Sequence, residues 1–92
     1  MRRAAKRDAN ENDLVRLAER LGALWEQAGP LDGWTLWRGV WTPTEIKNPD
    51  GRNRYTDSQV LFLARCKERR APVWTWRNEA DVLTCLNARV AA

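Results

Sequence analysis

The sequence predicts a single α/β domain with a mixed sheet, in the element order helix, three strands, helix, strand, helix. Three observations favour this class. Apolar residues recur at helical spacing near the N-terminus, six Trp residues fall mostly in segments of strand character, and Thr56-Asp-Ser-Gln59 has the form of a capping box that opens another apolar helical run. The 92 residues, 43% of them hydrophobic, suffice for one core but not for two, so residues 1–92 are predicted to form one domain.

The first helix is predicted over residues 9–21, where Leu14, Leu17 and Ala18 keep helical spacing and Gly22 follows as a C-cap. Glu11 lies one turn before Leu14 and in line with Ala18, so its side chain points toward the buried side of the helix. Two roles are open for this acid. It can favour the positive end of the helix dipole, or it can belong to a site.

The central segment, residues 30–47, reads as two strands joined at Arg38-Gly39. This register places Trp37 opposite Val40 and Asp32 opposite Glu45, whereas a three-residue loop would break it. Residues 23–28 precede the pair and alternate as a first strand does, although they can also continue the helix past Gly22. Pro43 removes a ladder donor, which predicts an edge position or a bulge for its strand.

The opposed pair of Asp32 and Glu45 is the main candidate site. Directly opposed residues on one face have Cβ atoms about 5 Å apart, and two ionised carboxylates at that distance repel unless one keeps a proton or a cation lies between them. Lys47, two residues beyond Glu45, is predicted to lie on the same face. Two oxygen ligands and a lysine suit a hard cation such as Mg²⁺, with Mn²⁺ as a substitute, and phosphodiester chemistry. The competing interpretation is a loop acid beside a surface Glu-Lys pair.

The remaining elements follow from turn and cap signals. Asn48-Pro-Asp-Gly51 is a strong turn, and the capping box opens a helix that ends at Lys67. Residues 72–77 are predicted to form a fourth strand, and Asn78 to cap a last helix that runs through Asn87. Two of the Trp residues, Trp34 and Trp41, are the better candidates for stacking on a base or for a subunit contact.

Composition narrows the function classes. The chain has no His, which excludes imidazole mechanisms and the usual zinc sites, and its two cysteines, Cys66 and Cys85, lack metal-type spacing and are predicted to be free thiols in helices. The net charge of +4 points mildly to a polyanionic partner. No secretory signal or membrane span is apparent, so a cytoplasmic location is expected. Residues 1–8 form a basic N-terminal segment, called the basic entry below. This segment is either a mobile or solvated tail, or it contacts phosphate.

Several segments, in order along the chain, resemble those of the PD-(D/E)XK nuclease superfamily, and most closely its small stand-alone VRR-NUC domains from phages and bacteria. They are Arg7-Asp-Ala-Asn-Glu11, Gly29-Pro-Leu-Asp32, Thr44-Glu-Ile-Lys47-Asn-Pro-Asp-Gly51 and Thr56-Asp-Ser-Gln59. The resemblance implies a restriction-endonuclease-like αβββαβ core with a C-terminal helix. It also implies a homodimer that cuts branched DNA, such as four-way junctions, inside a bacterial or phage-infected cell.

The resemblance also implies roles for single residues. Asp32, Glu45 and the Ile46 carbonyl would bind the divalent metal, Lys47 would assist the attacking water, Glu11 would be the acid from the first helix, and Gln59 would line the site. Five basic residues are candidates for contact with the nucleic-acid backbone: Arg3, Lys6, Arg7, Arg52 and Arg54. Gln59 already has a sufficient structural role in the capping box. The alternatives are a basic DNA-binding or assembly protein of this fold without activity, and a small interaction module that uses exposed Trp.

Overall fold

Three helices and a four-stranded sheet make up the fold. A computed structural model describes residues 4–48 and 54–91, and within them the side chains of residues 11–48 and 54–87. Along the chain the elements are α1 (Ala4–Arg20), β1 (Leu24–Glu26), β2 (Gly33–Trp37), β3 (Val40–Ile46), α2 (Asp57–Glu68), β4 (Trp74–Trp76) and α3 (Glu79–Ala91). The strands lie in the order β1-β2-β3-β4; the first three are antiparallel and β4 runs parallel to β3. The predicted mixed α/β class and element order are confirmed.

The first helix begins earlier than predicted and ends within one residue of its predicted end. Helix α1 starts at Ala4 rather than at residue 9 and ends at Arg20. Residues 1–3 lie outside the described residues, and the role of the basic entry over residues 1–8 stays a prediction. At the other end Gly22, with φ of 108°, donates to the Glu19 carbonyl, and Ala23 donates to the Ala18 carbonyl at 3.0 Å. This pair of hydrogen bonds is the Schellman motif, which reverses the chain into β1.

The hairpin of β2 and β3 has the predicted register. Its pairs run from Trp37↔Val40 at the turn to Gly33↔Thr44 at the far end. The two turn residues have positive φ, 51° for Arg38 and 82° for Gly39, as a type I′ turn requires. Arg38 therefore adopts a backbone conformation that few residues other than Gly, Asn and Asp take up. The alternative of a three-residue loop is excluded, and residues 24–26 form a strand rather than a continuation of α1.

The expectation that Pro43 marks an edge strand or a bulge is wrong. Strand β3 lies inside the sheet, between β2 and β4, and its register with β2 runs unbroken through the pair Trp34↔Pro43. Counting from the turn, this pair is a non-hydrogen-bonded one, so the Pro43 nitrogen faces away from β2. On that other side β4 begins its pairing only at Thr44↔Trp74. The missing N–H therefore leaves no partner without its hydrogen bond.

One face of the sheet packs against α1 and α3 to form the core. Its buried side chains include Leu14 and Ala18 of α1, Val82 and Leu86 of α3, and Trp76 of β4. Across strands, Trp25 and Trp76 lie with ring centroids 6.0 Å apart, and the Trp37 indole donates to the Leu86 carbonyl at 3.0 Å. Most Trp residues thus belong to the core, as predicted from their strand positions.

Helices α2 and α3 confirm the predicted caps. Thr56 accepts a hydrogen bond from the Gln59 amide while the Gln59 side chain accepts from the Thr56 amide, which is the complete capping box. Asn78 caps α3 through the Asp81 amide at 3.0 Å, and α3 runs to Ala91 rather than ending at residue 87. In the described part of the chain no helix is long and apolar enough to cross a membrane.

Candidate functional site

The predicted acid pair lies where the β2–β3 hairpin ends. Gly33↔Thr44 is its last pair, and it is a hydrogen-bonded one, so the register carried one step further sets Asp32 against Glu45. That next position is of the non-hydrogen-bonded type, at which opposed side chains come closest. The geometry of the hairpin alone therefore brings the two carboxyl groups together.

The Asp32 side chain is fixed by a backbone donor. Its Oδ2 atom accepts a hydrogen bond from the Ile46 amide at 2.7 Å. In the register of this hairpin the Ile46 N–H points toward the side of β2, but β2 itself begins only at Gly33. The carboxylate of Asp32 thus takes the place of the missing strand partner. Because the N–H and C=O of one residue in an antiparallel ladder point to the same neighbour, the Ile46 carbonyl faces the Asp32 side as well.

Glu45 is electrostatically strained by its surroundings. Burial, the negative charge of Asp32 and a hydrogen bond with the Asp32 side chain raise the pKa of Glu45 from its ordinary value to about 7, against the opposing effects of the Lys47 charge and the Asp32 backbone. Its Oε1 atom is buried and has no hydrogen-bond partner among the described residues. Without a cation, one proton is therefore held on the pair near neutral pH, which is the first of the two arrangements expected from opposed carboxylates.

The donor set fits a magnesium-type cation. Mg²⁺ keeps several of its own waters and is commonly bound through one or two carboxylates, so Asp32 and Glu45 are sufficient protein ligands. The buried Glu45 Oε1 is an oxygen acceptor that the described protein atoms leave unsatisfied. No group of three or more Asp, Glu, His or Cys side chains is placed to hold a metal in residues 11–48 and 54–87. The fit to a cation is therefore argued from these two carboxylates alone.

Lys47 lies beside the pair and is held by two contacts. Its amide donates to the Trp76 carbonyl at 2.9 Å, which extends the pairing of β3 with β4 by one residue. Its Nζ atom lies 4.1 Å from the centroid of the Tyr55 ring, over the ring face. The Lys47 charge lowers the pKa of Glu45, so the ammonium acts on the acid pair from this position. The cation–π contact with Tyr55 was not foreseen from the sequence, because the two residues are joined by a loop rather than by a periodic element.

Gln59 connects α2 to the segment that carries Asp32. Besides its part in the capping box, its Nε2 atom donates to the Pro30 carbonyl at 3.1 Å. The side-chain oxygen therefore caps the helix, as predicted, while the nitrogen ties down the chain two residues before Asp32. The role of Gln59 in lining the site stays a prediction. The sequence offered a signal for the cap only, since a contact across 29 residues has no local pattern.

The remaining predicted site residues are Glu11 and the five basic residues. Glu11 is buried, with 6% of its surface exposed, as its place on the apolar stripe predicted, but it does not complete a metal-holding group with Asp32 and Glu45. Arg54 is exposed. Lys6 and Arg7 lie on α1 with side chains outside the described residues, and Arg3, Arg52 and the turn at residues 49–51 lie outside the described part altogether.

The two cysteines have the predicted state. Cys66 on α2 and Cys85 on α3 are both free and half-buried, and burial raises the pKa of the Cys85 thiol. A high thiol pKa disfavours the reactive thiolate, so Cys85 is suited to packing rather than to nucleophilic chemistry.

Comparison of this chain with protein-family models, curated proteins and solved structures finds no match. The likeness to PD-(D/E)XK nucleases therefore stays a prediction from the motifs, and the chemistry of the site has to be argued from its own geometry.

The raised pKa of Glu45 predicts a pH dependence of stability. Between the ordinary pKa of an unfolded glutamate and about 7, the folded chain binds more protons than the unfolded chain, so the free energy of unfolding falls as pH rises through this window. In EDTA, the denaturation midpoint should be lower at about pH 8 than at about pH 5, and Glu45→Gln should reduce this difference. Glu68→Gln, at a carboxyl that is 72% exposed, is the matched control and should leave the slope unchanged. An equal slope in wild type and Glu45→Gln would contradict the strain assigned to Glu45.

Proposed function

We propose that this chain is a metal-dependent DNA endonuclease with a restriction-endonuclease-like fold. The observation that carries the proposal is the contact between the Asp32 and Glu45 carboxyl groups, with a buried Glu45 oxygen left unsatisfied and Lys47 beside it. Paired carboxylates next to a lysine suit phosphodiester hydrolysis, in which charge develops on phosphate oxygens and water must be activated. The element order with a mixed sheet is compatible with the αβββαβ arrangement of that fold.

Each residue of the site has a separate task in this proposal. Asp32 and Glu45 would hold Mg²⁺ or Mn²⁺, with the Ile46 carbonyl facing the same side. A cation held there would lower the pKa of a water molecule and offset negative charge on the scissile phosphate. Lys47 has three donors and no acceptor, so it can orient the attacking water or donate to a phosphate oxygen. The Ile46 amide keeps Asp32 in place, and Gln59 anchors the backbone before it.

The substrate and assembly proposed here follow from the resemblance and the charge. A net charge of +4 favours a polyanion. The likeness to stand-alone VRR-NUC domains adds a preference for branched DNA, including four-way junctions, and a homodimer that holds two strands at once. The preference for branched DNA and the homodimer are both part of the proposal. They can be tested separately from the chemistry of the acid pair.

Removal of one acid or of the lysine should abolish cleavage. Labelled single-stranded, duplex, flapped and four-way-junction DNA are incubated with wild type in Mg²⁺, Mn²⁺ or EDTA. Cutting should require the metal and should fall by at least about a hundredfold in Asp32→Ala, which loses a ligand, and in Lys47→Ala. Glu19→Ala, at an exposed acid of α1, is the control and should cut normally. Cleavage that persists in EDTA, or in Asp32→Ala, would overturn the proposal.

The contact of Lys47 with Tyr55 makes a finer prediction. Tyr55→Phe keeps the ring face and should retain cleavage, whereas Tyr55→Leu removes the cation–π contact and should lower kcat about tenfold with little change in KM. The measurement is steady-state cleavage of the best substrate by both variants. Equal rates in the Phe and Leu variants would show that Tyr55 does not position the lysine.

A catalytically inactive DNA-binding protein of the same fold is the second candidate. The net charge of +4 favours it, because electrostatic binding of a polyanion requires neither a metal nor a reacting lysine. Such a protein would bind DNA equally well in EDTA and in Mg²⁺ and would keep that binding in Asp32→Ala. The cleavage experiment, repeated as a binding assay, separates the two candidates.

A further inference from the structure

The sheet face opposite the core carries an exposed apolar row. Leu24, Leu36 and Trp41 are direct cross-strand partners on β1, β2 and β3, so their side chains share one face. Leu24 is 49% exposed and Trp41 is 45% exposed. Helix α2 reaches this face through Phe62, which meets the neighbouring Trp34 edge-on at 6.4 Å. The row beyond Trp34 is left open to solvent.

This row lies on the same face as the acid pair. Trp41 and Glu45 are four residues apart on β3, and residues separated by an even number point to the same side of a strand. At about 3.3 Å per residue, the distance along the strand is about 13 Å. Trp41 and the acid pair therefore lie toward the two ends of one sheet face, and the pair Trp34↔Pro43 between them is covered at Trp34 by Phe62 of α2.

Positive charge flanks the Trp41 end of this surface. Helix α2 begins near the acid pair, where Gln59 donates to the Pro30 carbonyl, and Phe62 further along it lies against Trp34, so its last turn continues toward the Trp41 end of the sheet. The end of α2 and the turn after it carry four exposed cations and one acid, Glu68, which is paired with Arg69. The cations are Arg65, Lys67, Arg69 and Arg70.

We infer that this surface binds single-stranded nucleic acid, with a base stacked on Trp41 and the backbone phosphates at the cations of the α2 end. The inference rests on the proposed nuclease function and gives its substrate class: DNA with unpaired nucleotides a short distance from the bond that is cut. A partly exposed aromatic side chain beside a positively charged track is the usual combination for single strands. A base inside a duplex keeps both faces covered by its neighbours and cannot stack on Trp41 without being unstacked.

The charge of the surface distinguishes this occupant from an apolar protein partner. A protein that covered only the row of Leu24, Leu36 and Trp41 would gain nothing from four adjacent cations unless it were acidic. A nucleic-acid strand uses both features at once, since every base has a flat face and every linkage a negative charge. One exposed acid, Glu26, pairs with Trp34 across the sheet and marks the β1 edge as the less favourable side for a polyanion.

Binding in EDTA tests this inference without any need for cleavage. Fluorescence anisotropy of labelled oligothymidine and of a blunt duplex is measured with wild type, Trp41→Phe, Trp41→Leu and Leu24→Ala. Trp41→Leu keeps an apolar side chain but loses the ring, and it should weaken single-strand binding about tenfold while leaving duplex binding unchanged. Trp41→Phe should lose less than about threefold, and Leu24→Ala, at the other end of the same row, should match wild type.

The cations are tested by the salt dependence of the same binding. The double variant Lys67→Gln, Arg70→Gln should lower the slope of log affinity against log salt by about 1.4, as expected for two lost phosphate contacts on a single strand. Unchanged single-strand binding in Trp41→Leu, or an unchanged slope in the double variant, would overturn the corresponding half of the inference. Sedimentation gives a further test. If Trp41→Leu converts a dimer to monomers while DNA affinity stays intact, the row belongs to a contact with a second copy of the chain, and the inference is overturned.

The outcomes also separate this inference from the nuclease proposal. Weakened single-strand binding in Trp41→Leu, in a protein whose wild type cuts no DNA with any metal, would leave the binding surface standing and overturn the nuclease. The opposite outcome is that Trp41→Leu cuts flapped and single-stranded DNA at the wild-type rate, with metal and with unchanged binding. That result would support the nuclease and overturn the binding surface.

Discussion

The hydrogen bond from the Ile46 amide to Asp32 Oδ2 is the contact on which the candidate site depends. It lies at the position where β2 has not yet begun, so a side chain rather than a strand satisfies the amide. Its effect is to hold the Asp32 carboxyl against Glu45 even though the backbone ladder stops at Gly33. Three other features support the segment that carries Asp32. They are the hairpin register, the Gln59 contact with Pro30 and the packing of α2 over Trp34.

The site stores electrostatic strain that a cation would relieve. Glu45 is held next to another acid in a partly buried position, and one of its oxygens has no partner among the described residues. If the acid pair served stability alone, apolar side chains, or one acid and one amide, would give a more stable fold at these positions. Strained pairs of this kind cluster at functional sites, because the ligand supplies the missing interaction. The carboxyl pair is in this sense incomplete, and in the proposed function a divalent cation would complete it.

The parts of the fold that the sequence predicted follow local rules. Gly22 ends α1 because the Schellman motif needs a left-handed residue there, and the capping box at Thr56 fixes the start of α2 within a few residues. The hairpin register follows from the two-residue turn at Arg38-Gly39, and with it the pairing of the two acids. Local chemistry thus predicted both the framework and the central feature of the site.

The parts that the sequence did not predict depend on contacts between distant elements. Pro43 is tolerated in an inner strand only because β4 starts one residue later, which no local pattern reveals. The Lys47 contact with Tyr55 and the second bond of Gln59 arise from how α2 folds back on the hairpin. The early start of α1 shows the reverse case, in which helical propensity extends an element through a charged segment that has no apolar face.

Titration of Mn²⁺ into the metal-free protein tests the central claim most directly. The account predicts one Mn²⁺ bound per chain by wild type, measured by calorimetry or by loss of the free Mn²⁺ resonance, with release of a proton as Glu45 ionises. Binding should be lost in Asp32→Ala and in Glu45→Gln and kept in Glu68→Gln. Stoichiometric binding that survives both substitutions, or no binding by wild type at millimolar metal, would contradict the assignment of Asp32 and Glu45 as a metal site.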